Sequence, residues 1–297
     1  MEPSDNSKDT VAPVVTPAQL LKDNGFDINC SVSELPKALK WAAGTGNVDV
    51  VQLLLSRKPQ ITSQNGYGDL MEAVVRSGND KLLRLMMNHQ VDMNIAGDDG
   101  WTALFFTACL GQQKMMEMLL DPFSGISGVS INLQDDHGCT ALHVAAEMDN
   151  DKITKMLIQS GADVNTLDDR GESPLHKAAG MGRKANTRLL LNAGAKIETA
   201  NEEGITALRE AFEHGHDGVV RLLLQRGANT RSAFVGPFSP RYLQTSKEGF
   251  EAARLAILWW QEENNMKSQI VMATGKMDQS RIDAKSEILT KKRHVQD

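Results

Sequence analysis

Two histidines each stand three residues after a hydroxyl side chain: His143 in "TALHVAA" (140–146) and His176 in "SPLHKAA" (173–179). An imidazole beside a hydroxyl can act as a general base that activates a nucleophile, and an imidazole nitrogen is also a common metal ligand. Either role needs further groups to converge on it. Zinc-type sites are announced by closely spaced ligand pairs, and no HxxxH or CxxC accompanies these positions. Cys30, Cys109 and Cys139 are odd in number, and neither Cys109 nor Cys139 has a basic sequence neighbour that would favour its thiolate. GxSxG, HExxH and the GxxxxGK phosphate loop are absent, and "GTGN" (44–47) reads as a turn between helices. These residues predict no catalytic centre, no cofactor and no metal, so the two histidines need another explanation.

Composition sets the class of molecule that must hold them. The chain has 297 residues, 41% of them hydrophobic, enough for one large domain or two small ones with a sizeable core. Its formal net charge of −6 argues against non-specific binding to nucleic acid or to an anionic membrane, since both need a basic face. No run of about 18 apolar residues is present, and "MEPSDNSKDTVAPVV" lacks a basic start followed by an apolar core. Three cysteines without disulfide spacing fit a soluble protein of a reducing compartment, cytoplasmic or nuclear. "KKRH" (291–294) is a short basic cluster of the kind that serves nuclear import.

The chain repeats. "DHGCTALHVAAEMDNDKITKMLIQSGADVN" (136–165), "DRGESPLHKAAGMGRKANTRLLLNAGAKIE" (169–198) and "EEGITALREAFEHGHDGVVRLLLQRGANTR" (202–231) align without a gap. Gly138, Gly171 and Gly204 fall at a step of 33. Earlier copies start near Leu35, Tyr67 and Gly100, and the step of 38 from Gly100 to Gly138 places an insertion in "DPFSGISGVS" (121–130). A half copy, "AQLLKDNGFDIN" (18–29), precedes them, and a degenerate copy starts near Pro237. The boundaries read as a disordered segment 1–16, an array 17–260 and a charged helix or tail 261–297. The 13 charges of that tail, seven basic and six acidic, are spaced as on a solvated helix with a disordered end, which would fold back over Trp259 and Trp260.

Each recurring residue has a physical task. Thr140, Ser173 and Thr206 stand just before apolar-periodic runs, where a hydroxyl caps the free N–H groups of a first helical turn. Pro174 takes the first helical position, where no N–H is needed. Ala42-Ala43, Ala145-Ala146 and Ala178-Ala179 are small where helices of neighbouring copies pack closely, and Val50-Val51 and Val219-Val220 belong to the apolar stripe of a second helix. No copy can bury that stripe alone, so the copies must stack. Asn186 and Thr187 stand on the same stripe, where polar residues reduce hydrophobic stabilisation by roughly 1–3 kcal/mol. That interface is expected to open before its neighbours.

The recurring "TALH", "SPLH", "GADVN" and "LLLQRGAN", in register at 33 residues, resemble the ankyrin repeat over roughly 17–260, with six clear copies. The resemblance implies an all-α solenoid, a right-handed stacked array in which each repeat is a helix-turn-helix with a β-hairpin finger. It implies that His143 and His176 bond the preceding hydroxyl and neighbouring backbone, tying repeats together. It also implies a non-catalytic protein-interaction module, an adaptor, scaffold or inhibitor, gripped by its partners on a concave face of fingers and first-helix ends. Carried over by register, the third repeat contributes Asp98, Asp99, Trp101, Cys109 and Leu110, and the fourth Asp136, His137, Cys139, Glu147 and Met148. The fifth contributes Asp169, Arg170, Glu172, Gly180 and Met181, and the sixth Glu202, Glu203, Ile205, Glu213 and His214. Glu34, Tyr67 and Arg76 extend the face at one end and Phe238 at the other.

Across repeats three to six, nine acids on this face accompany one arginine and are interleaved with Trp101, Leu110, Met148, Met181 and Ile205. Such a surface predicts a protein partner with a basic segment carrying large apolar anchors, bound by a monomer, with no nucleic acid or membrane involved. Two alternatives remain: a targeting or regulatory subunit of an enzyme or ubiquitin-ligase complex that recruits through 261–297, and a pathogen-type ankyrin effector. Asparaginyl hydroxylation of ankyrin repeats prefers a leucine eight residues before its target and an acid two before. Leu21–Asp27–Asn29 and Leu157–Asp163–Asn165 fit, which makes Asn29 and Asn165 candidate targets.

Overall fold

The computed structural model describes residues 15–31, 33–57, 59, 61, 68–121, 128–233 and 247–274. Among them it forms 14 α-helices, and two isolated bridges but no strand. Residues 1–14 and 275–297, Tyr67 and Phe238 lie outside the described residues. Contacts divide the chain into two compact units, Met1–Val129 and Ser130–Asp297.

The first unit holds α1 (Pro17–Asp23), α2 (Leu35–Gly44), α3 (Val48–Leu55), α4 (Gly68–Arg76), α5 (Asp80–Asn88), α6 (Ala103–Leu110) and α7 (Gln113–Leu120). First helices α2, α4 and α6 stack in one row. Second helices α3, α5 and α7 stack in another, and α1 joins that row against α3. The half copy therefore sits as a second helix without its first. Leu39, Leu54, Leu82, Met86 and Phe105 fill the space between the rows and are fully buried.

The second unit repeats the plan with α8 (Ala141–Glu147), α9 (Asp151–Gln159), α10 (Pro174–Gly180), α11 (Lys184–Asn192), α12 (Ala207–Glu213), α13 (Asp217–Gln225) and α14 (Lys247–Thr274). Here α8, α10 and α12 form the first row, and α9, α11, α13 and α14 the second. Helix α14 buries Ala253, Ala256 and Ile257, one face at helical spacing. With no glycine or proline between Phe250 and Thr274, it runs through 260–261 unbroken. The boundary expected there is not a structural break, and residues 261–274 extend the helix instead of folding back over the tryptophans.

The fingers are smaller than full hairpins. Single bridges join Gln134 to Thr140 and Ala200 to Thr206. Each tip is instead shaped by one side chain that accepts two backbone N–H groups. Asp135 Oδ1 accepts from His137 and Cys139, Asp168 Oδ1 from Arg170 and Glu172, and Asn201 Oδ1 from Glu203 and Ile205, at 2.8–3.0 Å. Adjacent fingers are bonded to each other: Asp169 N–H donates to His137 O, and Glu202 N–H to Arg170 O, both at 3.0 Å. Gly138 makes this approach possible. Its φ is +71°, and a Cβ there would lie 2.6 Å from Asp169 Oδ1 and 2.8 Å from the Asp169 nitrogen.

The polar pair on the second-helix stripe has a task that its sequence position conceals. Gly46, Gly78, Gly111, Gly182 and Gly215 turn the chain between the two helices of five repeats, each with positive φ. The corresponding residue of the fourth repeat is Asp149, and α8 ends there with Met148 extended at φ −75°, ψ 157°. The carbonyls left open are closed from the next repeat. Asn186 Nδ2 donates to Ala145 O (3.1 Å), Ala146 O (3.0 Å) and Met148 O (2.8 Å), and Arg183 Nε to Glu147 O (2.9 Å). Thr187 turns its hydroxyl to Arg183 O at 2.9 Å, which satisfies it within its own helix.

Asn186 is thus a cap for the preceding repeat, although its Oδ1 has no hydrogen-bond partner, and the reason for expecting this interface to open first is removed. Losing a buried hydrogen-bonding side chain costs about 1–3 kcal/mol. Asn186→Val should therefore lower stability by about 2 kcal/mol in urea unfolding, and Asp149→Gly in the same chain should recover part of the loss. A valine that stabilises would show the asparagine to be a packing defect after all.

Candidate functional site

The histidines are fastenings between repeats. His143 Nε2 lies 3.1 Å from Glu172 O, and a carbonyl can only accept, so Nε2 carries the proton. Nδ1 then accepts from the Thr140 N–H (3.0 Å) and hydroxyl (2.9 Å) in a capping box that closes the start of α8. His176 repeats the arrangement with Ile205 O at 3.1 Å, Ser173 N–H at 3.1 Å and the Ser173 hydroxyl at 2.9 Å. Burial pushes both imidazoles below their ordinary pKa. Both nitrogens of each ring are occupied, which leaves neither ring a free base nor a ligand.

In the sixth repeat Thr206 accepts from the N–H of Arg209, which stands in the histidine's place. Arg209 donates Nε to Glu213 at 2.7 Å in a fully buried pair. His216 Nε2 donates to Gly180 O at 2.9 Å, another tie to the preceding repeat. Burial pushes the Cys139 thiol up to about 12, with Asp168 Oδ2 3.7 Å from its sulfur, so this thiol is not a nucleophile near neutral pH. Among the described residues no group of His, Cys, Asp or Glu is arranged to hold a metal ion.

The residues assigned to the partner face divide sharply. Asp98, Asp99, Asp136, Asp169, Arg170, Glu202 and Glu203 are exposed on finger tips. Leu110 and Met181 are exposed at first-helix ends, by 40% and 45%. Glu147 and Met148 are half-buried, and so is Trp101, whose ring packs on Phe105 and Phe106 at 5.8 and 5.3 Å.

Three assigned residues are not on the surface. Glu172 and Ile205 follow the hairpin glycine, and their carbonyls receive the histidines of the preceding repeats; this turns both inward, to 5% and 4% exposure. Glu213, 1% exposed, pairs with Arg209. Asn165 is held at both ends of its amide, accepting from Lys196 N–H at 2.9 Å and donating to Gly194 O at 3.4 Å. An enzyme acting on it would first have to open that tie. Asn29 is exposed, and its N–H donates to Asp27 at 2.8 Å.

A charge network that the sequence reading did not anticipate underlies the fifth finger. Lys177 Nζ lies 2.7 Å from Asp168 and 2.5 Å from Glu172, and Arg170 lies 3.2 Å from Glu172. Burial alone would lower the Lys177 pKa, but its bonds to Asp168 and Glu172 outweigh this and raise it. Burial would likewise raise Asp168, and the bonds from Lys177 and the Glu172 and Arg170 N–H groups hold it below the usual range. Above this network is a shallow hollow of about 140 Å³, lined by Glu147, Arg170, Glu172, His176, Lys177, Gly180, Met181, Glu210 and His214. A larger hollow of about 420 Å³ in the first unit, on Leu55, Pro59, Ile61 and 88–91, has no acid, lysine or arginine in its lining.

Paired short helices in two rows, joined by fingers and tied repeat to repeat, define a helical-repeat protein. The chain belongs to the ankyrin-repeat family: the family model for ankyrin repeats (3 copies) matches residues 70–168 and 161–233. A putative ankyrin repeat protein, FPV034 of Fowlpox virus (strain NVSL), is 30% identical over 108 residues, 36% of this chain and 26% of that protein. Neurogenic locus notch homolog protein 2 of Homo sapiens is 30% identical over 127 residues, 42% of this chain and 5% of that protein. The cell division cycle-related protein res1/sct1 of Schizosaccharomyces pombe is 28% identical over 156 residues, 46% of this chain and 24% of that protein. The matched stretch thus spans about a quarter or less of each relative. Among the described residues no helix is long and apolar enough to cross a membrane.

The histidine ties make stability depend on pH with a definite sign. Because both folded-state values are lowered, the fold favours the neutral rings. Their contribution is complete above the unfolded value of about 6.5 and is lost as pH falls through the lower folded values. The urea midpoint should fall between about pH 7.5 and about pH 5. A His143→Gln, His176→Gln variant should start lower and lose less over the same interval; an undiminished loss would show that these rings do not govern it.

Proposed function

We propose that this chain is a non-catalytic interaction module that binds a protein partner through acidic finger tips set beside apolar first-helix ends. Ankyrin repeats are protein–protein interaction modules, and the chemistry of the partner is read from the exposed residues. The observation that carries the reading is the row Asp136, Asp169, Glu202 and Glu203, all exposed on successive fingers. Met181, the most exposed apolar residue of the adjoining helix end, lines the same hollow as the fingertip residue Arg170. Exposed like charges steer a basic segment, and an exposed thioether gives it an apolar contact. Asp98, Asp99 and Leu110 offer the same combination in the first unit.

The partner is accordingly a protein with a basic segment and apolar anchors, not a nucleic acid or a membrane, and the chain acts as a monomeric adaptor, scaffold or inhibitor. Three free cysteines fit the cytoplasm or nucleus. A second reading, a targeting subunit that recruits through its C-terminal helix, is favoured by Leu255, Leu258 and Trp259. Leu255 and Leu258 are exposed by 60% and 44% on the side of α14 away from its buried face, and Trp259, 38% exposed, has Arg221 of α13 over its ring at 5.8 Å.

One comparison separates the two readings. The full chain, a Glu202→Lys, Glu203→Lys variant and a Leu258→Glu variant are used as parallel baits, and association of the captured partner is timed at low and high salt. The charge reversal should slow association about tenfold at low salt and much less at high salt, while Leu258→Glu leaves it unchanged. Loss only with Leu258→Glu would move the interface to α14.

A further inference from the structure

We infer that Arg170 sets the specificity of the proposed partner face by docking one carboxylate side chain of the partner's otherwise basic segment. The inference rests on the partner-binding reading above and names the residue that chooses among basic segments. Each finger tip of the second unit carries two residues ahead of its glycine. The first is acidic throughout, as Asp136, Asp169 and Glu202. The second, at the same step of 33, is His137, then Arg170, then Glu203. All six are exposed. A cation thus stands among acids on a surface whose other charges favour lysine or arginine.

The guanidinium is tethered, and it is outermost. Arg170 N–H donates to Asp168 Oδ1 at 2.9 Å, and its carbonyl accepts from Glu202 N–H at 3.0 Å. Its Nη2 lies 3.2 Å from Glu172, which Lys177 Nζ anchors from beneath at 2.5 Å. The network of Arg170, Lys177, Asp168 and Glu172 is neutral as a whole, yet it is oriented. The side chains of Asp168, Glu172 and Lys177 are 3%, 7% and 12% exposed, and that of Arg170 is 57% exposed. An approaching chain therefore meets the positive end first. Among the described residues the only ion pair of Arg170 is with Glu172. Asp169 lies toward the fourth finger, where a Cβ on Gly138 would be 2.6 Å from its Oδ1. The planar fork keeps N–H groups for a second carboxylate, and a tethered side chain loses less freedom on binding than a free one. A lysine or arginine of the partner at this finger would meet like charge, so Arg170 selects by rejection as well as by attraction.

The test uses the full chain and two capped synthetic peptides of alternating lysine and leucine, with glutamate or its neutral isostere glutamine at the centre. Fluorescence anisotropy should show the glutamate peptide binding about fivefold more tightly. Attraction to the acids alone predicts the reverse, since that peptide carries less positive charge. Arg170→Gln should cancel the preference, and Arg170→Lys, which keeps the charge but loses the fork, should retain only part of it. Glu202→Lys, Glu203→Lys should weaken both peptides alike. In NMR spectra of the unmutated chain the Arg170 Nε–H resonance should shift with the glutamate peptide and much less with the glutamine one. Equal or tighter binding of the glutamine peptide, or a preference that survives Arg170→Gln, would overturn the role of Arg170 alone and leave the acidic face standing. Failure of both peptides to bind would remove the acidic face, and this inference with it.

Discussion

The paired helices of the repeats are so short that their unpaired ends are most of what they are. An α-helix leaves four N–H groups and four C=O groups without partners, and α8, α10 and α12 have seven residues each. Stacking buries those ends away from water, where an unsatisfied polar group costs about 1–3 kcal/mol. The stack can therefore exist only if each repeat supplies hydrogen bonds to its neighbour. His143 and His176 close helix starts and reach the next finger. Asn186, Arg183 and His216 reach back to the helix ends of the repeat before.

From this constraint follows a division of labour among side chains. The caps and histidines that recur at the 33-residue step are buried and occupied, and they have little to offer a ligand. The imidazoles that first suggested catalysis belong to that group. Several residues that vary between repeats, Asp136, Asp169, Glu202 and Glu203 at finger tips and Met181 at a first-helix end, are left exposed. The proposed partner surface is drawn from these: acids on successive fingers, with Met181 beside them.

Much of this architecture was legible from the amino-acid order, because the repeat converts one-dimensional spacing into packing. The caps at Thr140 and Ser173 and the close-packed alanines follow from register, and the bridging histidines from the resemblance to ankyrin repeats. What register could not show was direction. Glu172 and Ile205 occupy the expected place on their fingers, yet hydrogen bonds to the preceding histidines turn them inward. Asn186 looked like a flaw on an apolar stripe, because the gap it fills belongs to Asp149 in another repeat. Asp135, Asp168 and Asn201 do recur at the 33-residue step, and that signal could have identified them as the residues that shape the fingers. The Lys177 network carried no comparable signal, since its Lys177 and Glu172 have no like residue one step away in either neighbouring repeat.

Native-state amide hydrogen exchange on the full chain tests the governing constraint most directly, since protection reports the free energy of local opening. If cross-repeat hydrogen bonds hold the stack, the amides of α11 should open with those of α9 and α13, despite the polar Asn186 and Thr187. Exchange of α11 well ahead of both neighbours would contradict this, showing that apolar burial alone sets the strength of each interface.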